Sequence, residues 1–154
     1  MGEGKNKDFR ILSNLRMNAR ETLANISKNT GMPISTVYDK IKRFEKDIVQ
    51  KYTLLVNFNK IGYEVRVNFL LKADKQKKNE LREHLKDNPK VNSVVAINNG
   101  YDFLIDAVFR NMLELQEFNE ELERFSIKEK KEFFIIEEIK REAFLCDMDS
   151  QDKN

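Results

Sequence analysis

Five polar side chains, Ser35, Asp39, Lys42, Arg43 and Lys46, recur at spacings of three and four within a stretch that reads as one helix. At 100° per residue they share one face, with Thr36 and Tyr38 at its flanks. Val37, Ile41 and Phe44 mark the opposite, inward face, and Ile34 extends that apolar series by the same spacing. The outward face is small and polar at its start and cationic toward its end. Such a layout suits a helix that meets base edges with its first residues and phosphates with its Lys and Arg. Asp39 has its own chemistry, since a carboxylate accepts a hydrogen bond from cytosine N4. The other reading of the same spacing is an ordinary solvated helix face.

Positioning such a face requires partners, and the preceding residues supply them. Ile11, Leu12 and Leu15 share one side of a first helix. Thr22 is a good N-cap for a second, and Gly31 a good left-handed stop. Residues 34–47 form the third helix, so 1–50 read as a helix-turn-helix unit. From Tyr52 the period changes. Tyr52 to Val56 reads as a strand in a hinge over 51–62. Val65, Val67, Phe69 and Leu71 alternate with other side chains, as a strand does. Leu81 and Leu85 point inward from a helix over 75–87, which Pro89 ends. Val91 to Ile97 and Tyr101 to Phe109 flank the turn Asn98-Asn99-Gly100 as a hairpin. Met112, Leu115, Phe118, Leu122 and Phe125 mark another helix, and 131–141 a last strand apolar on both faces. The order β-α-β-β-α-β over 63–144 is that of a ferredoxin-like sandwich. The fold class is therefore α+β, a (winged) helix-turn-helix followed by that sandwich, with 145–154 as a disordered tail.

Two helices cover one face of a four-stranded sheet, so the second face calls for another copy of the chain. Charge is divided unevenly. Residues 1–53 carry eleven Lys/Arg against six Asp/Glu, whereas 111–154 carry seven against thirteen, on a chain whose net charge is +2. A basic first third points to a polyanion. No apolar run exceeds four residues, which excludes a spanning helix, and the N-terminus shows no signal-like apolar stretch. One histidine, His84, and one cysteine, Cys146, make a dedicated zinc site improbable, and no cofactor is expected. His84 reads as a boundary surface residue beside the Leu81/Leu85 stripe. The composition fits a cytoplasmic protein.

The string Asn18-Ala19-Arg20, Thr22, Ile26-Ser27, Thr30-Gly31, Ser35-Thr36-Val37, Ile41-Lys42-Arg43-Phe44-Glu45 and Tyr52-Thr53 resembles the leucine-responsive/asparagine-synthesis regulators. These are the Lrp/AsnC, or feast/famine, transcription factors. Lys60-Ile61-Gly62-Tyr63 and Tyr101-Asp102-Phe103-Leu104 are similar to family positions too, so the resemblance spans residues 8 to about 143. It implies a regulator that binds double-stranded DNA at a pseudo-palindromic site, and it adds Arg20 to the contacting residues. It implies homodimers, or higher rings such as octamers, joined through the second domain. It also implies an effector, typically a free amino acid, at the turn Asn98, Asn99, Gly100, Tyr101 and Asp102. Turn N–H groups would hold the carboxylate there and Asp102 the ammonium group. Read alone, Asn99-Gly100 is also simply the preferred pair of a type I′ turn.

Four departures from the family pattern stand out: Asp39 on the outward face, Pro33 in place of a Ser or Thr cap, no glycine after Asp47, and a glycine displaced by one residue to Gly100. Two other functions remain open. Siroheme decarboxylases are similar to this family across both domains, and a DNA-independent amino-acid sensor would share the second one. No Gly-rich phosphate loop, nucleophile motif or metal-ligand spacing favours an enzyme.

Overall fold

The computed structural model describes residues 3–146, and they divide into two compact units. The first holds three helices: α1 (Glu3–Met17), α2 (Leu23–Thr30) and α3 (Ile34–Asp47). Thr22 caps α2, its hydroxyl accepting the Asn25 N–H at 3.2 Å. Gly31 follows with φ 67°, a left-handed stop that a Cβ would strain. Pro33 precedes α3 and caps nothing by side chain, yet the helix begins at Ile34 because the Pro33 carbonyl accepts the Val37 N–H at 3.0 Å. Beyond Asp47, where the family's glycine is absent, Ile48 stays right-handed and its N–H closes onto the Phe44 carbonyl at 2.8 Å. Ile11, Ile26, Met32, Val37, Ile41 and Phe44 form the core of this unit, with Leu12, Leu15, Leu23 and Val49 packed on it. Ile34 departs from its expected place in the apolar stripe. It is 50% exposed and lies outside the core of the unit, since helical spacing alone does not bury a residue at a helix start unless another element packs over it.

The first unit also contains residues 139–146. Arg16, in the last turn of α1, donates from Nε to the Phe144 carbonyl at 2.8 Å and from Nη2 to the Glu142 carbonyl at 2.9 Å. The same Nη2 lies 3.1 Å from the Glu142 carboxylate. Of the expected disordered tail 145–154, Leu145 and Cys146 are placed here, and 147–154 lie outside the described residues.

The strand expected at Tyr52 to Val56 is not present. Residues 51–57 pair with no strand among the described residues, and Leu54 and Leu55 are exposed. An apolar run of strand-forming residues forms a ladder only where an edge lies beside it. A short 3-10 turn, Phe58–Ile61, follows.

The second unit realises the split βαβ order. Its elements are β1 (Val65–Ala73), α4 (Lys78–Asp87), β2 (Val91–Ala96), β3 (Phe103–Phe109), α5 (Met112–Glu123) and β4 (Ile127–Phe134). The antiparallel sheet runs β2-β3-β1-β4. Val67, Phe69 and Leu71 from β1 face the same way as Phe103, Ile105, Ala107 and Phe109 from β3. They bury against Leu81 and Leu85 of α4 and Leu115, Phe118 and Leu122 of α5. Phe69, Phe109 and Phe118 pack as tilted and edge-on ring pairs with centroids 5.4–6.5 Å apart.

The last strand begins and ends earlier than the apolar run 131–141 suggests. Its register places Phe134 opposite Val67, and only the Ile135 N–H, bonded to the Arg66 carbonyl at 2.9 Å, continues the ladder. β1 starts at Val65, which the same register sets opposite Ile136, so the residues beyond Ile136 have no β1 residue to pair with. Ile136 is 98% exposed.

The helices leave one sheet face uncovered. Leu70, Leu104, Val95 and Phe133 lie there in register. On the same face Arg66 donates from Nε and Nη2 to the Asp106 carboxylate at 2.7 and 2.9 Å, and Asn92 donates to it at 2.6 Å. The hydrogen bonds to Asp106 hold the guanidinium firmly in its charged form.

Candidate nucleic-acid interface and ligand turn

Helix α3 presents the expected face. Ser35, Tyr38, Asp39, Lys42, Arg43 and Lys46 are exposed, and Thr36 is half-buried at the edge. Val37, Ile41 and Phe44 anchor the helix from behind. The cations of that face are not all free. Lys42 bonds Glu45 at 2.8 Å, and its ammonium lies 5.8 Å from the centre of the Tyr38 ring. The hydrogen bond to Glu45 raises the Lys42 pKa, and the same bond lowers that of Glu45. Tyr52, whose hydroxyl donates to Glu45 at 3.2 Å, is pushed up first by burial and then by that bond. Arg43 lies 3.3 Å from Asp8 of α1, whose other carboxylate oxygen takes Lys40. Lys46 has no ion-pair partner among the described residues.

Arg20 stands outside α3. It is exposed in the turn before α2, its backbone N–H bonded to the Asn18 side chain at 3.0 Å. Two residues of this region escaped the sequence reading. Ile34 looked like core by its spacing, and nothing in the pattern around Asp8 announces that it reaches two cations 32 and 35 residues away.

In the second unit the turn is the one its Asn-Gly pair favours. Asn99 and Gly100 have φ of 65° and 94°, both left-handed as a type I′ turn requires. Asn98, Asn99 and Gly100 are exposed. Tyr101 donates its hydroxyl to Glu129, and Lys131 sits 5.3 Å from the centre of its ring. Asp102 is occupied within the chain: it accepts the Ala73 N–H at 3.0 Å and the Lys78 ammonium. Its own N–H bonds the Leu71 carbonyl at 2.8 Å. Asp102 thereby ties the start of β3 to the end of β1, and Lys78 is a neighbour that no spacing announces.

The hydrogen bond from Lys78, followed by that from Ala73, holds the Asp102 carboxyl below its ordinary range. A lowered folded-state pKa contributes stability above the unfolded value, about 3.9. That contribution is lost as pH falls through the lower folded value. Asp102→Asn is expected to lower the melting temperature near neutral pH and to flatten its dependence on pH below about 4. Melting curves across pH check this; parallel profiles for both proteins would show that the carboxylate contributes nothing.

His84, on α4, lies 3.6 Å from Glu121 of α5 and has its ring 4.8 Å from that of Phe125. This is the boundary position its spacing suggests. Among the described residues no group of three His, Cys, Asp or Glu is placed to hold a metal. No described helix is long and apolar enough to cross a membrane.

Comparison with known proteins agrees with both units. The profile of the Lrp/AsnC ligand binding domain matches residues 65–144, and that of a winged helix-turn-helix DNA-binding domain matches residues 5–47. The helix-turn-helix-type transcriptional regulator FL11 of Pyrococcus furiosus is 30% identical over 112 residues, covering 72% of this chain and 74% of its own. A helix-turn-helix-type regulator of Pyrococcus horikoshii is 27% identical over 138 residues, covering 89% and 93%. Among solved structures, a transcriptional regulator of Neisseria meningitidis in complex with L-Met has a TM-score of 0.80 at 22% identity, covering 88% of this chain and 91% of that one. E. coli AsnC has a TM-score of 0.74 at 18% identity, covering 88% and 94%. With a ligand-domain match over more than half its length and a helix-turn-helix match before it, the chain belongs to the Lrp/AsnC family of helix-turn-helix transcriptional regulators.

Proposed function

We propose that this chain is a sequence-specific DNA-binding regulator that works as a homodimer or larger assembly and answers to a small metabolite. The exposed face of α3 carries the reading: small polar side chains at its start, cations toward its end, and a buried stripe that fixes its orientation. Ser35, Thr36, Tyr38 and Asp39 are the base-facing candidates; Lys42, Arg43, Lys46 and Arg20 are the phosphate-facing ones. The uncovered sheet face, with Leu70, Leu104, Val95 and Phe133, supports pairing with a second copy. A two-fold pair of α3 helices reads a pseudo-palindrome.

The effector reading rests on the turn Asn98 to Asp102. Its exposed backbone donors suit a carboxylate. The L-Met bound by the Neisseria regulator, whose fold this chain shares, makes an amino acid the first class to test. Binding regulates DNA occupancy only if the ligand prefers one assembly over another, and DNA then alters ligand affinity by the same factor.

Selection of bound duplexes from a random library tests the DNA reading, and enrichment of a two-fold-related motif is the expected result. Failure to retain any duplex at low salt would overturn it. A thermal-shift screen of the twenty amino acids at millimolar concentration tests the effector. A hit whose affinity falls in Gly100→Ala places it at the turn, and no hit would leave an effector-independent regulator.

A further inference from the structure

We propose that Ile34 and Tyr38 form a thymine-reading stripe on α3, making contacts to the 5-methyl groups of the operator. The inference rests on the DNA-binding reading and goes beyond it by naming the base feature that these two side chains select. Ile34 is the first residue of the helix and Tyr38 lies one turn on; the two are 50% and 48% exposed. Four residues of helix amount to 40° of rotation, so the pair forms one continuous strip beside Ser35 and Lys42. Neither residue belongs to the core of its unit, although Val37, Ile41 and Phe44 of the same helix do. The strip is therefore apolar surface on an otherwise polar and cationic face.

Position decides what such a strip meets. Lys42, Arg43 and Lys46 lie further along the same helix and match phosphates. With the cations on the backbone, the N-terminal turn of α3 is the part that enters the major groove. Base edges there offer hydrogen-bond donors and acceptors, and one apolar group, the thymine C5-methyl. Ile34 has no polar atom in its side chain, so a methyl is the only base feature it can select. The Tyr38 ring, held from one side by the Lys42 ammonium at 5.8 Å, presents further apolar edge in the same strip. A protein partner on this strip would have to bury the surrounding cations as well, which disfavours it.

Deoxyuridine in place of thymine removes the methyl and nothing else. The experiment takes the full-length protein and a duplex recovered from the library selection, and replaces its thymines by deoxyuridine one at a time. We expect one or two positions per half-site at which wild-type affinity falls roughly three- to fivefold, the worth of one buried methyl group. In Ile34→Ala one of those positions should become indifferent to the change, and in Tyr38→Ala a neighbouring one. Both side chains are exposed, so the variants are expected to keep the wild-type melting temperature. A duplex bound equally well with every thymine replaced would overturn the proposal. So would an Ile34→Ala protein with undiminished sensitivity at every position. If the wild type retains no duplex at all, the DNA-binding reading itself fails, which is a separate and recognisable outcome.

Discussion

Phe133→Lys is expected to break the assembled protein into smaller species at micromolar concentration. Phe133 stands opposite Asn68 on the uncovered sheet face and is half exposed in the single chain, so the folded monomer gains no buried charge from the change. In a sheet-to-sheet contact the same ammonium would be buried without a partner, at a cost of about 3–5 kcal/mol. That corresponds to a dissociation constant weakened by roughly a hundredfold or more. Register chooses the residue. Phe134 pairs with Val67 and so lies on the other side, where the helices pack, and a lysine there would not meet the uncovered face. Sedimentation velocity reads the result directly. DNA affinity should fall with it, because paired half-sites bind as one only while the two copies hold together. A wild-type protein that sediments as a monomer at micromolar concentration would remove the basis for this prediction.

Arg43→Ala should weaken binding to every duplex, selected or not, and lower the slope of log affinity against log salt by about one. A hydrogen bond to a charged group is worth about 1.5–3 kcal/mol, so the loss should be roughly tenfold or more. The ion pair with Asp8 refines the expectation. In the free protein Arg43 lies 3.3 Å from Asp8, and a phosphate has to compete with that carboxylate. Asp8→Asn removes the competitor and leaves Lys40 and Arg43 unneutralised, so it should strengthen binding to random DNA while leaving Arg43 in place. The two variants thus move affinity in opposite directions, which a general loss of folding does not do. Titrations at several salt concentrations measure both. Unchanged affinity and slope in Arg43→Ala would remove this residue from the interface.

Local rules in the sequence were enough for much of this architecture. Thr22 and Gly31 bracket α2 as their chemistry demands, and the alternation in β1 matches its buried face. Asn99-Gly100 forms its turn with both residues left-handed. What stayed hidden depends on neighbours. Ile34 has core spacing, but whether a residue at a helix start is covered depends on what packs above it. Tyr52 to Val56 has strand composition and no ladder, since hydrogen bonds need an edge as well as a propensity. β4 ends within two residues of where β1 begins, a fact of pairing and not of its own residues. Asp102 looked available for a ligand ammonium group until Lys78, 24 residues away, was found on it. Asp8 is the same case on α3. Ion pairs between distant segments leave no period to read.

The grip of Arg16 on residues 142–144 means that the helix-turn-helix unit is built from two stretches far apart in the sequence. The unpaired segment 51–57 is the natural target for a protease, since no ladder protects its backbone. A single cut there is expected to leave the two fragments joined through residues 139–146. The carboxyl-terminal fragment still carries the residues that Arg16 holds, so the nicked protein should elute as one particle and separate into two pieces only under denaturing conditions. Arg16, through two carbonyls and the Glu142 carboxylate, is one of the contacts that join the fragments after cleavage, and Arg16→Ala should make the nicked protein come apart more readily than the nicked wild type.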